Sequence, residues 1–209
     1  MNLPGLLISF GISFGLLIVA MTFHEFAHGW VANRLGDTTA KQSGRLTLNP
    51  LAHIDIFWTI LLPLVLFVTT SGRFVFGAAK PVPINYWALK NPKRDIVLIG
   101  ASGPFANFLF AFILSLVIKG IHLAPLASFI VANLILINVV LGVFNLIPIP
   151  PLDGSRILMG LLPDSLAQRY AQIEPYTFII LIALLWLGVI DSIIWPVIGF
   201  LLHIMGVAV

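Results

Sequence analysis

Long apolar runs separated by short polar breaks dominate the chain. The first extends from Leu3 to about Val31 and is free of charged residues until Glu25. A bilayer crossing needs roughly 20 apolar residues, so this run predicts a membrane helix. It has no basic leader and no cleavage site, which favours a retained helix over a signal peptide. Within it Gly11 and Gly15 form a small-xxx-small pair that either lets a second helix approach or is incidental. Two further runs, Ile96 to Ile118 and about Leu126 to Ile147, flank the polar break Lys119 to Pro125 and predict an antiparallel pair. After Tyr176 the chain is apolar almost to its end, interrupted by Asp191, Ser192 and Pro196. That pattern favours two short helices over one kinked segment.

The pattern changes between the first and second runs. Gly44-Arg45-Leu46-Thr47-Leu48-Asn49-Pro50 alternates like a short strand, and Lys80-Pro81-Val82-Pro83-Ile84 is held extended by its prolines. Ile56 to Thr70 is apolar for too few residues to span and contains Pro63, which suits a re-entrant or interfacial path. The expected fold is an all-α polytopic membrane protein with about five transmembrane helices. A short re-entrant or interfacial β-containing segment lies between the first and second. Residues 1–209 read as a single membrane domain, with C-terminal helices at about 175–206.

Composition narrows the function. Only 19 of 209 residues are charged, 11 basic and 8 acidic, and 59% are hydrophobic; soluble domains carry about 25% charged residues. The formal charge of +3 is therefore read as membrane topology, and no basic run with interleaved aromatics points to nucleic acid. Cysteine is absent, so disulfides, thiol catalysis and thiolate ligands are excluded. A bound metal must use His, Asp or Glu.

One motif satisfies that condition. His24-Glu25-Phe26-Ala27-His28 is an H-E-x-x-H sequence near the end of the first helix. Positions i and i+4 share a helix face, so both imidazoles can hold one cation while Glu25 reaches a water activated by it. With five histidines and two glutamates in the chain, a chance match has odds of about one in a thousand. An ionised carboxyl at membrane depth costs about 2.5 to 3.5 kcal/mol on insertion scales, which calls for a compensating cation. Zinc is the default for imidazole and carboxylate ligands with one position open. Asp153 is the leading third ligand: it follows Pro148, Pro150 and Pro151, which end a helix, and precedes Gly154, read as permitting a turn. Irregular backbone at membrane depth is tolerated where it is buried or lines a wet cavity.

These residues resemble the site-2 protease family of intramembrane zinc metalloproteases. The likeness rests on H-E-x-x-H in a membrane helix and on the distant Asn145-Leu146-Ile147-Pro148-Ile149-Pro150-Pro151-Leu152-Asp153-Gly154. It extends to Gly44 to Asp55 (GRLTLNPLAHID) and to Gly103-Pro104-Phe105-Ala106-Asn107. The four stretches place a catalytic core at about 3–156, similar to compact members without PDZ or CBS domains. Where such members often have Asp-Pro, this chain has Asp55-Ile56. The resemblance implies His24, His28 and Asp153 as ligands of one zinc ion and Glu25 as general base. It places Asn145 and Asn107 near the catalytic centre as substrate or transition-state contacts. The implied activity is hydrolysis of transmembrane or membrane-associated substrates, with Glu25 taking the proton of the attacking water and passing it to the leaving amine.

Topology offers a check. If the three ligands share a metal, the run at Ile56 to Thr70 must not cross the bilayer. Arg34, Lys41, Arg45, Arg73, Lys80, Lys90, Lys93, Arg94, Arg156 and Arg169 then share one side and Lys119 lies opposite. By the positive-inside rule the site lies nearer the cytoplasmic face of a prokaryotic inner membrane, with the N-terminus outside. The competing readings are a non-catalytic zinc-binding membrane protein and a cation-permeation bundle. His53 reads as a polar structural residue, and His122 and His203 as interface residues. Trp58, Trp87, Trp186 and Trp195, with Tyr86 and Tyr176, read as interfacial anchors.

Overall fold

A computed structural model describes residues 3–71 and 77–207. Arg73, one of the cations used to orient the chain, lies outside the described residues. The first apolar run forms α1 (Leu3–Leu35), 33 residues in one helix. At 1.5 Å per residue this is about 50 Å, longer than a hydrocarbon core of about 30 Å. Near its end the Arg34 guanidinium stacks 5.0 Å from the Trp30 ring centre.

Gly36 (φ 114°) ends this helix, and a one-turn helix, α2 (Thr39–Gln42), follows. The expected strand at Gly44 to Leu48 does not form, and no strand occurs among the described residues. The cause is local. Gly44 takes φ 69° just past α2, and the amides of Gly44 and Arg45 turn back onto the carbonyls of Lys41 and Ala40. This is the usual glycine-terminated helix end, and it removes donors that a sheet would need.

From Asp55 the chain runs through a π-helical stretch, Ile56–Leu61, into α3 (Leu62–Thr69). Asp55 caps the start by accepting from the amides of Phe57 and Trp58, both at 2.9 Å. Phe67, near the end of α3, packs on Phe10 in the N-terminal half of α1, ring centres 4.2 Å apart. The chain is back by Ala78, whose amide donates to the Trp58 carbonyl, and Lys80 donates to that of His53. Asp55 and Ala78 are thus together at one end of the excursion. Residues 77–85, without regular helix or strand, lead to a 3-10 turn at Tyr86–Ala88.

α4 (Pro92–Gly120) and α5 (Pro125–Asn145) each begin at a proline, where the missing N–H has no helical partner to lose. α4 lies antiparallel to α1: His28 meets Ile99, His24 meets Asn107, and Phe23 stacks on Phe110. α1, α4 and α5 are long and apolar enough to cross a membrane. Phe105, Leu109, Phe112 and Leu116 are exposed along α4, as expected of a helix bathed in lipid.

Two further helices, α6 (Asp153–Leu161) and α7 (Asp164–Ala171), follow the proline-rich stretch. α6 lies directly on α4. At Gly160 a Cβ would meet Val97 and the Lys93 carbonyl, and at Gly100 it would meet Arg156 and the Asp153 carbonyl. Glycine on each helix lets the backbones approach. The C-terminal pair is α8 (Thr177–Trp186) and α9 (Val189–Ile204), separated at Gly188 (φ 68°). α8 has 10 residues and α9 has 16, below the roughly 20 a crossing takes. Of the five crossings expected, three therefore have spanning length. Ile194, Ile198 and Leu202 of α9 join Ile135, Val139 and Val143 of α5 and Ala111 of α4 in the main apolar core.

Candidate metal centre

α1 places His24 and His28 one turn apart, facing α4 and the start of α6. Their Nε2 atoms are 3.0 Å apart. Asp153 Oδ2 lies 2.9 Å from His24 Nε2 and 3.0 Å from His28 Nε2, and all three residues are buried. Three lone-pair atoms at such spacing repel unless a proton or cation lies among them. The donor set, two imidazoles and one carboxylate, is that of a catalytic zinc site with an open position, and the three side chains could hold a metal ion.

Each member of this cluster is held from behind. His28 Nδ1 is 2.7 Å from the Ile99 carbonyl, which only accepts, so Nδ1 carries the proton and Nε2 offers its lone pair. Ser102 Oγ lies 3.2 Å from the same Nδ1 and donates to the same carbonyl. His24 Nδ1 is 2.6 Å from Asn107 Oδ1. Arg156, one turn along α6, donates to Asp153 Oδ1 at 3.0 Å and leaves Oδ2 to the histidines.

Glycines make the close packing possible. A Cβ on Gly103 would lie 2.5 Å from His28 Nε2 and 2.6 Å from His24 Nε2, so only glycine lets α4 pass this near both ligand atoms. Gly154 is needed for close approach within a helix and not for the turn expected of it. Its added Cβ would run into the Leu146 carbonyl.

The triad opens on a cavity of ≈ 590 Å³. Glu25 lines it beside His24, and Glu25 Oε2 accepts from the Val82 amide at 2.8 Å. Asn145 also lines the cavity, and its amide donates to the Leu141 carbonyl. Asn107, in contrast, is fully buried behind His24 and is absent from the cavity wall. His53 is buried away from the triad, with Nε2 2.8 Å from the Thr47 carbonyl.

The family model for peptidase family M50 matches residues 122–188. The protein YwhC of Bacillus subtilis (strain 168) is 39% identical over 192 residues, covering 88% of this chain and 84% of its own length. The chain belongs to peptidase family M50. Rip2 of Mycobacterium tuberculosis (strain ATCC 25618 / H37Rv) is 29% identical over 91% of this chain and 73% of its own length. MJ0392 of Methanocaldococcus jannaschii is 28% identical over 74% of this chain but 35% of its own length. All three carry the words zinc metalloprotease in their names. No solved structure matches significantly. The protein is a zinc protease of the site-2 type and an integral membrane protein.

The H-E-x-x-H pair and the remote aspartate of this protease meet in space as the sequence suggested. Sequence reasoning missed Arg156, Ser102 and the Val82 amide. Arg156 carried a usable signal, a cation one helical turn after the proposed ligand. The Val82 amide carried none, because a backbone donor 57 residues from Glu25 has no side-chain signature.

Proposed function

We propose that this protease is an intramembrane zinc endopeptidase in which His24, His28 and Asp153 hold the metal and Glu25 is the general base. The observation that carries the reading is convergence: three buried ligand atoms and one cavity-facing carboxylate, all beside spanning helices. Zinc bound by these residues supplies Lewis-acid activation of water and of a peptide carbonyl. Glu25 accepts the water's proton and delivers it to the departing amine, a role for which its position next to His24 and its place on the cavity wall suit it. The Val82 amide orients Glu25. Asn145 contacts the substrate from the cavity wall, whereas Asn107 acts through His24.

A helical substrate must unwind before its carbonyls can be attacked. The strand edge expected at Gly44 to Leu48 is not formed, and backbone without regular helix or strand lines the cavity at Gly77 to Val82 instead. The amides of Ala78 and Lys80 face Trp58 and His53, so alternation turns the Ala79 backbone to the opposite edge. An unwound substrate pairs there by strand addition. Partners are thus the bilayer and a transmembrane substrate. Residues 1–209 act as one membrane domain with its catalytic core at about 3–156. The site lies nearer the cytoplasmic face of a prokaryotic inner membrane and the N-terminus lies outside.

The test is cleavage of single-span peptides by protein reconstituted in vesicles, with cut sites read by mass spectrometry. Zinc-dependent cuts within or at the edge of the apolar span are expected. Cuts confined to soluble peptides would contradict the reading.

A further inference from the structure

Asn138 sits in the middle of α5, inside an otherwise apolar run, and is fully buried. It does not line the cavity, yet it is joined to His24 by a directional chain of hydrogen bonds. Asn138 Nδ2 donates to the Leu134 carbonyl at 2.8 Å. A carbonyl only accepts, so the amide must point its nitrogen there and its Oδ1 elsewhere. That Oδ1 accepts from Asn107 Nδ2 at 2.8 Å, and the same Nδ2 also donates to the Ala20 carbonyl at 3.2 Å. With its nitrogen facing two acceptors, Asn107 must present Oδ1 to His24 Nδ1, 2.6 Å away. Oδ1 cannot donate, so His24 Nδ1 carries the hydrogen and Nε2 is left to face Asp153.

We propose that Asn138 is a positioning residue that, through Asn107, fixes the tautomer and ring orientation of His24 so that Nε2 is presented to the metal. The inference rests on His24 being a zinc ligand. His28 reaches the same state through one backbone carbonyl, Ile99. His24 has the Asn107 side chain as its Nδ1 partner instead, and two asparagines on two helices relay the direction from Leu134. Without the Asn138 acceptor, the remaining anchor of Asn107 is its longest bond, to Ala20. The amide is then free to turn its nitrogen towards His24 Nδ1, which favours the tautomer with hydrogen on Nε2, inside the metal site. The relay also ties α1, α4 and α5 together at one depth. A buried amide in that setting has high stakes, because each unpaired group is costly in a medium without water.

The experiment measures zinc affinity of purified protein by competition with a chromophoric chelator, for wild type, Asn138→Leu, Asn138→Asp and His24→Ala. Loss of an outer partner of a metal-binding histidine typically weakens affinity 10–100-fold, and Asn138→Leu is expected to fall by about tenfold or more. Asn138→Asp, of nearly equal size and still able to accept from Asn107 in either ionisation state, is expected to bind zinc about as tightly as wild type. Wild-type affinity in Asn138→Leu would overturn the proposal. So would equal weakening in both Asn138 variants, since that would mean packing alone matters. If Asn138→Leu does not fold, the wild type decides: in zinc-loaded protein labelled with 15N-histidine, His24 should show a protonated Nδ1 and a metal-shifted Nε2. Metal on Nδ1 would overturn the relay. Unaltered zinc binding in His24→Ala would instead remove the ligand assignment on which the proposal rests.

Discussion

The two walls of the catalytic cavity are built by different means. On the ligand wall, side chains tie α1 to α4, His24 to Asn107 and His28 to the Ile99 carbonyl, and Asp153 of α6, held by Arg156 of the same helix, meets both histidines. Glycines at 100, 103 and 160 let these helices close up. The rest of the cavity lining includes Trp58, the run Gly77 to Val82 and Thr177 at the start of α8, and there the Ala78 amide donates to the Trp58 carbonyl while the Thr59 and Arg45 side chains donate to the carbonyls of Ala78 and Lys80. Thr177 on that wall is buried, and its hydroxyl has no partner among the described residues. Under the proposed function the first wall sets metal geometry and the second accommodates substrate. Ligand distances tolerate little error, whereas an unwound peptide needs a surface with donors and acceptors to spare.

Substitutions can break that division, and the largest effect is expected at Gly103. In Gly103→Ala the new Cβ crowds both Nε2 atoms, so metal analysis should find zinc largely lost and cleavage lost with it. Full zinc content would show that the ligand wall is not tightly set. Next is Arg156→Leu, which frees Asp153 Oδ1. By the usual cost of an outer partner, zinc affinity should fall roughly 10–100-fold, measured by chelator competition.

Changes on the opposite wall should leave zinc in place. Asp37 is fully buried and accepts from the amides of Thr39 and Asn85, so it anchors the far end of the run that starts at Gly77. Asp37→Ala strands those amides, at about 1–3 kcal/mol for each group left unpaired. A lower unfolding midpoint and several-fold slower cleavage with normal zinc content are expected; zinc loss would join the two walls into one unit. The smallest effect belongs to Thr177→Val, which removes an unpaired hydroxyl at nearly constant shape. Zinc content and folding should be unchanged, and a raised KM with kcat unaltered would mark Thr177 as a contact to bound peptide. A lowered kcat at constant KM would tie it to the ligand wall.

The ligand wall was also the more legible of the two in the sequence. H-E-x-x-H declares itself because i, i+4 geometry is local to one helix, and Asp153 stands out because few acids occur in so apolar a chain. Asn138 carried a signal that went unread: a polar residue deep in an apolar run, seven residues before Asn145 and so near the same helix face. The facing wall was poorly legible for physical reasons. Alternation at Gly44 to Leu48 suggested a strand, but the helix end at Gly44 captured its donors. α6 follows a proline-rich stretch, and its packing against α4 leaves no local pattern in the sequence. Backbone contacts such as Val82 to Glu25 leave no trace in residue identity.

The most direct measurement of the central claim compares zinc content and peptide cleavage in wild type and Glu25→Gln. General-base catalysis typically contributes 10²–10⁴-fold, and Glu25 is not among the three ligands. Glu25→Gln should therefore retain one zinc per chain while cleavage of single-span peptides falls by at least about 100-fold. Cleavage at the wild-type rate with zinc retained would contradict the assignment of Glu25 as the base.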